Sequence, residues 1–262
     1  MPRLLGRYTL LALVLTSLLP PALAATPITE ADYAQVLAGP WRAPANAARD
    51  VYRHPQQTLS FFGLQADQAV LEITPGNGWY SELLAPLLHD HGQYIAAVSA
   101  PGGLAQRFKD DPARFGNARL LRFDPSAPVF GAPASVDRVL TFRNVHNWVM
   151  ANNAPAYFAA FYAVLKPGGV LGVVDHRGPP GEPDAAIEQS GYLPSEYVIH
   201  LAEAAGFTLE GQSEVNANPK DTKDYPAGVW ALPPTYKLGE QDRAKYAAIG
   251  ESDRFTLRFV KR

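Results

Sequence analysis

Residues 71–84 read LEITPGNGWYSELL, and this stretch decides the fold. With the preceding residues, "AVLEI" at 69–73 is a nearly continuous apolar run, the pattern of a strand buried on both faces. Pro75-Gly76-Asn77-Gly78 then reads as a turn. Gly76 and Gly78 can take backbone conformations closed to other residues and let a ligand approach the main chain closely. "YSELLAPLL" continues as a helix, in which Pro86 removes a backbone donor and predicts a kink or an early stop. Strand, glycine turn and helix in that order open a parallel α/β unit, whose ligands bind at the carboxyl ends of the strands where strand order reverses. Glu72 sets a carboxylate beside that crevice, which suits a cationic or donor-rich ligand and repels a pyrophosphate. The third glycine of G-x-G-x-x-G is absent, with Ser81 in its place, so a nicotinamide dinucleotide is disfavoured.

Working outward, "QYIAAVS" (93–99), "ARLLRFD" (118–124), "SVDRVLTF" (135–142) and "VLGVVD" (170–175) predict further strands. A helix is predicted around 102–109. Phe158, Phe161, Tyr162 and Leu165 form one helical face, as do Val198, Leu201, Ala202 and Ala205, with Gly206 at a C-cap. Lys166-Pro167-Gly168-Gly169 predicts the end of the first of these helices. The alternation argues for a parallel sheet covered on both faces. The closing "FTLRFVKR", whose Phe255, Leu257 and Phe259 alternate, is reached by a loop and so predicts an antiparallel strand. Residues 25–65 read as an N-terminal helical extension broken by Pro40, Pro44 and Pro55, and 211–252 as an irregular insertion. The whole of 25–262 is read as one domain.

Residues 1–24 have the layout of a secretory signal peptide: Arg3 and Arg7, the short apolar core "LLALVLTSLL", and "ALA" at 22–24, with cleavage expected after Ala24. The apolar run is shorter than the ~20 residues of a spanning helix. The mature chain is therefore expected outside the cytoplasm, periplasmic or extracellular, soluble and free of the membrane. Loss of Arg3 and Arg7 takes the formal charge from −2 to −4, with no basic footprint for nucleic acid. The absence of cysteine excludes disulfides and thiolate catalysis.

The chain resembles the class I S-adenosylmethionine-dependent methyltransferases, and more narrowly an exported subgroup of predicted methyltransferases. The resemblance rests on "VYRHPQQTLSFFGL", "VLEITPGNGWYSELLAPLL", "VLTFRNVHNW" and "LKPGGVLGVVDHR", in that order, and covers residues 48 to 262. It implies a doubly wound, mostly parallel seven-stranded α/β sheet with an antiparallel strand near the C-terminus, and S-adenosylmethionine as cofactor. Glu72, Gly76 and Gly78 would cradle the methionine portion. Asp124, ending the third strand, falls where the family contacts adenine. Thr74 stands where a glycine is common, and Ser99 where an acidic residue usually grips the ribose. A serine cannot make the bidentate contact of a carboxylate. With Asn144, these complete the candidate cofactor set.

Asn144, His146 and Asn147 follow the fourth strand and should stand on the same carboxyl edge. His146 can orient a nucleophile or accept its proton. Asp175, His176 and Arg177 end the fifth strand; Asp175 can position His176 or pair with Arg177. His146, Asp175 and His176 are the candidate catalytic residues. His89-Asp90-His91 has metal-ligand spacing but lies between a helix and the next strand, away from the crevice, so no metal site is expected. His54 and His200 read as surface or satisfied histidines. Trp79, Tyr80 and Trp148 can wall a pocket or fill the core, and 178–192 suits a lid. No H-E-x-x-H or G-x-S-x-G occurs. The leading expectation is methyl transfer to a small molecule. The alternative is a non-catalytic small-ligand-binding module on the same fold. Oligomeric state is left open.

Overall fold

Apolar runs bounded by turn residues become the strands of one sheet: β1 (Ala69–Ile73), β2 (Gln93–Val98), β3 (Arg119–Arg122), β4 (Val136–Phe142), β5 (Leu165–His176), β6 (Phe207–Ser213) and β7 (Arg254–Lys261). The computed structural model describes residues 26–100, 102–181 and 184–262, so the expected signal segment lies outside the described residues. The strand order is β3-β2-β1-β4-β5-β7-β6, with β7 antiparallel to both neighbours and the other pairs parallel. This is the doubly wound sheet with one antiparallel C-terminal strand. Order reverses between β1 and β4, where Ile73 lies opposite Thr141.

The alternation of buried side chains explains why both faces are covered. Leu71, Ile73, Val139, Leu171 and Val173 meet Phe158 and Phe161 of the helix Ala154–Val164 on one face. Val70, Leu140 and Val174 meet Leu59, Phe62, Leu83 and Leu84 on the other. Gly172 is needed here: a Cβ would lie 2.7 Å from Phe62 Cγ and 2.8 Å from Leu140 Cδ2. The edge strands β3 and β6 carry the polar and exposed positions, as unpaired edges require.

The N-terminal extension forms four short helices, Glu30–Leu37, Pro44–Ala47, Asp50–Arg53 and Pro55–Phe61. It is clamped onto the helix after the glycine turn. Trp41 Nε1 donates to the Glu82 carbonyl at 3.0 Å, Asn46 Nδ2 donates to Glu82 Oε1 at 2.9 Å, and Trp79 Nε1 donates to the Asn46 carbonyl at 2.9 Å. That helix, Ser81–Leu87, stops one residue past Pro86.

Two features differ from the expectation. Strand β5 begins at Leu165, where the backbone turns extended, and pairs with β4 through an irregular register before the regular ladder starts at Val170. The sixth strand occupies 207–213, so the irregular segment starts after it. That segment holds the 3₁₀ turn Gly228–Ala231 and the helix Arg243–Ile249 around a small core of Tyr192, Tyr225, Val229, Leu232 and Tyr246. No helix among the described residues is long and apolar enough to cross a membrane.

Candidate functional site

Thr74, Ser99 and Asp124 follow β1, β2 and β3 and stand exposed along the carboxyl edge. Thr74 has φ +49° while its amide donates to the Ala97 carbonyl at 2.9 Å. A β-branched residue in the left-handed region stores strain of about 1–3 kcal/mol. The two glycines serve different ends. At Gly76, φ +60°, an added Cβ would meet nothing within 4 Å; at Gly78, φ +79°, it would strike Leu104 Cδ1 at 2.8 Å. Gly76 leaves the edge open, and Gly78 lets Leu104 of the helix Gly102–Asp110 pack against the turn. Asp124 accepts from Ser126 Oγ at 2.7 Å and Ser126 N at 2.9 Å, which hold its carboxyl below the usual range.

Glu72 lies beneath this edge, 3% exposed. Its Oε2 accepts from Tyr94 O–H at 2.5 Å, and Tyr94 Oη is 2.7 Å from Ser81 Oγ. Burial pushes the Glu72 carboxyl up to about 7, against the Tyr94 hydrogen bond and the charge of Arg53. The cation this carboxylate senses is thus internal, from the N-terminal extension.

At the switch point, buried Asn144 ties the two halves together: its Nδ2 donates to the Ile73 carbonyl at 2.9 Å and to Thr141 Oγ1 at 3.1 Å. One turn on, the structure brings His146, Asp175 and His176 into a single buried cluster. Asp175 accepts from His146 N at 3.2 Å and His176 N at 2.8 Å, and its Oδ1 is 2.9 Å from His146 Nδ1. A carboxylate accepts, so Nδ1 carries the hydrogen and Nε2 is left as the acceptor nitrogen. His176 Nδ1 lies 2.5 Å from Ser252 Oγ. Burial, then the charges of His146, Arg143, Arg254 and Arg53, push His176 well below its ordinary value, so it is neutral at pH 7.

These histidines line a cavity of about 200 Å³ with Arg143, Asn147, Val229, Trp230, Pro233, Pro234 and Thr235. Its far wall comes from 229–235 of the irregular segment. Leu193, the residue after the expected lid, is fastened to the end of β5: Leu193 N donates to the His176 carbonyl at 2.8 Å and Gly178 N to the Leu193 carbonyl at 2.9 Å. Part of that expected lid, residues 182 and 183, lies outside the described residues.

Nothing local in the sequence singles out Arg143, Arg53, Ser252 or Trp230. Arg143 and Arg53 lie inside the quoted "VLTFRNVHNW" and "VYRHPQQTLSFFGL", a position that does not by itself separate them from solvated arginines. Arg177 turns away from Asp175 and binds Asp253 at 2.7 and 3.0 Å and Glu214 at 2.8 Å. Trp148 stacks on Tyr157 in the core, and Tyr80 stacks on Phe142 with centroids 3.5 Å apart. His89 and Asp90 pair at 2.7 Å on the opposite edge, before β2 begins, and His200 is exposed beside Glu203. Donor atoms of His146, Asp175 and His176 lie within 4.8 Å of one another, close enough for a metal ion. The positive field of Arg143, Arg254 and Arg53 around them opposes a divalent cation.

The sequence matches no protein-family model and no curated protein. Solved structures match over most of the chain. A SAM-dependent methyltransferase from Aquifex aeolicus is 16% identical with TM-score 0.57, covering 82% of this chain and 93% of that one. The [4+2]-cyclase SpnF is 14% identical with TM-score 0.59, covering 86% and 84%. A possible exported protein from Bordetella parapertussis is 19% identical with TM-score 0.50, covering 84% and 70%. The fold is the Rossmann-like methyltransferase fold.

Proposed function

We propose that this chain is an exported S-adenosylmethionine-dependent methyltransferase acting on a small molecule bound beside His146. The observation that carries the reading is the junction at the switch point. There the open turn at Gly76 adjoins, through Asn144, a pocket holding a buried histidine–carboxylate pair. Ligands of doubly wound sheets bind at this place.

When bound, the cofactor would supply a methyl group on a sulfonium sulfur for transfer to a nucleophile of the acceptor. The turn at Thr74–Gly78 would hold its methionine portion over Gly76, Ser99 would bond a ribose hydroxyl, and Asp124 would accept from the adenine. Glu72 acts from below, fixing the turn through Tyr94 and Ser81. Asp175 orients His146 so that Nε2 faces the acceptor and takes its proton, a contribution of roughly 10²–10⁴ in rate. The remaining walls align the acceptor and exclude water. A cavity of about 200 Å³ is smaller than the ~300–1,000 Å³ of sites for drug-sized ligands, so the acceptor is small. Export is supported by the leader-like residues 1–24 and by the fold shared with a possible exported protein.

Calorimetry of residues 25–262 with S-adenosylhomocysteine tests the reading. Saturable binding, weakened about tenfold by Asp124→Ala, supports it; no heat at millimolar ligand contradicts it. The second reading, a binding module without methyl transfer, is favoured by one observation: Glu72 is committed to Tyr94 and does not face the crevice. The likeness to a [4+2]-cyclase adds that this fold serves other ends.

A further inference from the structure

We infer that the pocket at the ends of β4 and β5 takes a small organic anion, a carboxylate or a phosphate ester, gripped by Arg143. This deepens the reading of that pocket as the acceptor site and rests on it. The argument begins with an imbalance of charge. Arg49, Arg53, Arg143 and Arg254 act electrostatically on one another around the same point. One carboxylate serves three of them: Glu251 accepts from Arg49 at 2.5 Å, from Arg53 at 3.2 Å and from Arg254.

The other two nearby carboxylates are committed, Asp175 to His146 and His176 and Glu72 to Tyr94. Arg143 is left with no hydrogen bond or ion pair from its side chain among the described residues. Arg53, 5% exposed, keeps a buried Nη2 without a partner, and Arg49 Nη2 is likewise unpartnered. A buried donor left without a partner is costly in any fold, and Arg143 itself is half-buried. Burial and mutual repulsion bring Arg53 down to about 9 and Arg143 to about 10.

Geometry shows where a compensating charge would sit. Arg143 is the wall common to two cavities. One is the cavity of about 200 Å³ with His146 and His176; the other, about 10 Å³, lies among Arg53, Tyr80, Phe142, Val174, Asn216 and Arg254. Its backbone stands at φ +61°, with its amide on the Val174 carbonyl at 2.7 Å, so the side chain is set at the mouth between them. Neutral His176 adds a neighbour that does not repel an anion. A planar guanidinium free of protein partners matches a carboxylate or phosphate edge with two parallel hydrogen bonds.

The test uses residues 25–262 labelled at the histidine rings and titrated with acetate, inorganic phosphate and acetamide. Acetate or phosphate should shift the His146 and His176 resonances saturably, and acetamide should not; the tighter anion identifies the substrate's group. Arg143→Gln should weaken that binding about 10- to 100-fold, Arg143→Lys by less, and the distant Arg114→Gln not at all. Because Arg143 has no protein partner, Arg143→Gln should keep or raise the melting temperature. Equal binding of acetamide, unchanged affinity in Arg143→Gln, or an Arg143→Gln chain that fails to fold would overturn the inference. S-adenosylhomocysteine titrated into the same samples separates the two claims. Cofactor binding without anion binding removes this inference alone, and anion binding without cofactor binding removes the methyltransferase reading alone.

Discussion

At the ends of β1, β2 and β3 the polar residues Thr74, Ser99 and Asp124 are exposed, and Asp124 finds its partner two residues away in Ser126. At the ends of β4 and β5, Asn144, His146, Asp175 and His176 are buried, and the charged groups around them are held from afar. His146 reaches Asp175 across 29 positions, His176 reaches Ser252 across 76, and Arg49 reaches Glu251 across 202. The first region is a surface shaped by local turn chemistry; the second is a charged interior assembled from both ends of the chain. The difference teaches that the two halves of one carboxyl edge answer to different forces. Backbone conformation governs the former and uncompensated charge the latter.

The comparison breaks most severely at Glu251. Glu251→Gln leaves three guanidinium groups without their carboxylate and should cost about 3–5 kcal/mol in denaturant unfolding. Burial pushes Glu251 upward, but Arg254, Arg53 and Arg49 outweigh it and hold its carboxyl far below the usual range. Its contribution is therefore present above about pH 4.5 and would be lost only as pH falls through that depressed value. The loss in the variant should persist from pH 5 to pH 8; a variant as stable as the native chain would show the arginines to be compensated elsewhere.

Glu72 has the opposite sign. Its folded value of about 7 lies above the unfolded 4.5, so the folded state holds the proton more tightly and stability falls as pH rises between the two. Glu72→Gln keeps an acceptor for Tyr94 and removes the penalty. The variant should gain up to about 3 kcal/mol at pH 8 and nothing at pH 4, and an equal gain at both would contradict the burial argument.

Asp175→Asn should cost about 2 kcal/mol by weakening three buried hydrogen bonds. It should also move the His146 ring resonances while leaving affinity for S-adenosylhomocysteine intact. In the exposed region Thr74→Gly should gain about 1 kcal/mol by releasing the left-handed strain. A loss there would mean that the threonine side chain holds the turn.

The same contrast explains what was legible in the sequence. The strand–turn–helix of 69–87 announces itself because its apolar run, glycines and proline act within a few residues, and the closing antiparallel strand shows in the alternation of Phe255, Leu257 and Phe259. The candidate residues along the carboxyl edge could be named because each ends a strand or follows one within a few residues. Strand β6 was hidden because "FTLEGQS" is a half-exposed edge whose pattern fades after Leu209. Arg143 was passed over because nothing local distinguishes an unpaired arginine from a solvated one. Its isolation exists only once Glu251, Arg53 and Arg254 have been brought beside it by folding. The pocket wall at 229–235 was illegible for the same reason, being placed by a satellite core around Tyr192 and Tyr246 and by the bond of Tyr192 O–H to Asp221.

The central claim is that the exposed end holds the cofactor and the buried end the acceptor. Backbone amide shifts on titration with S-adenosylhomocysteine test it most directly. The account predicts saturable changes at Gly76, Asn77, Gly78, Ser99 and Asp124, with His176 and Trp230 little moved. Changes confined to His146, His176 and Trp230, or none at millimolar ligand, would contradict it.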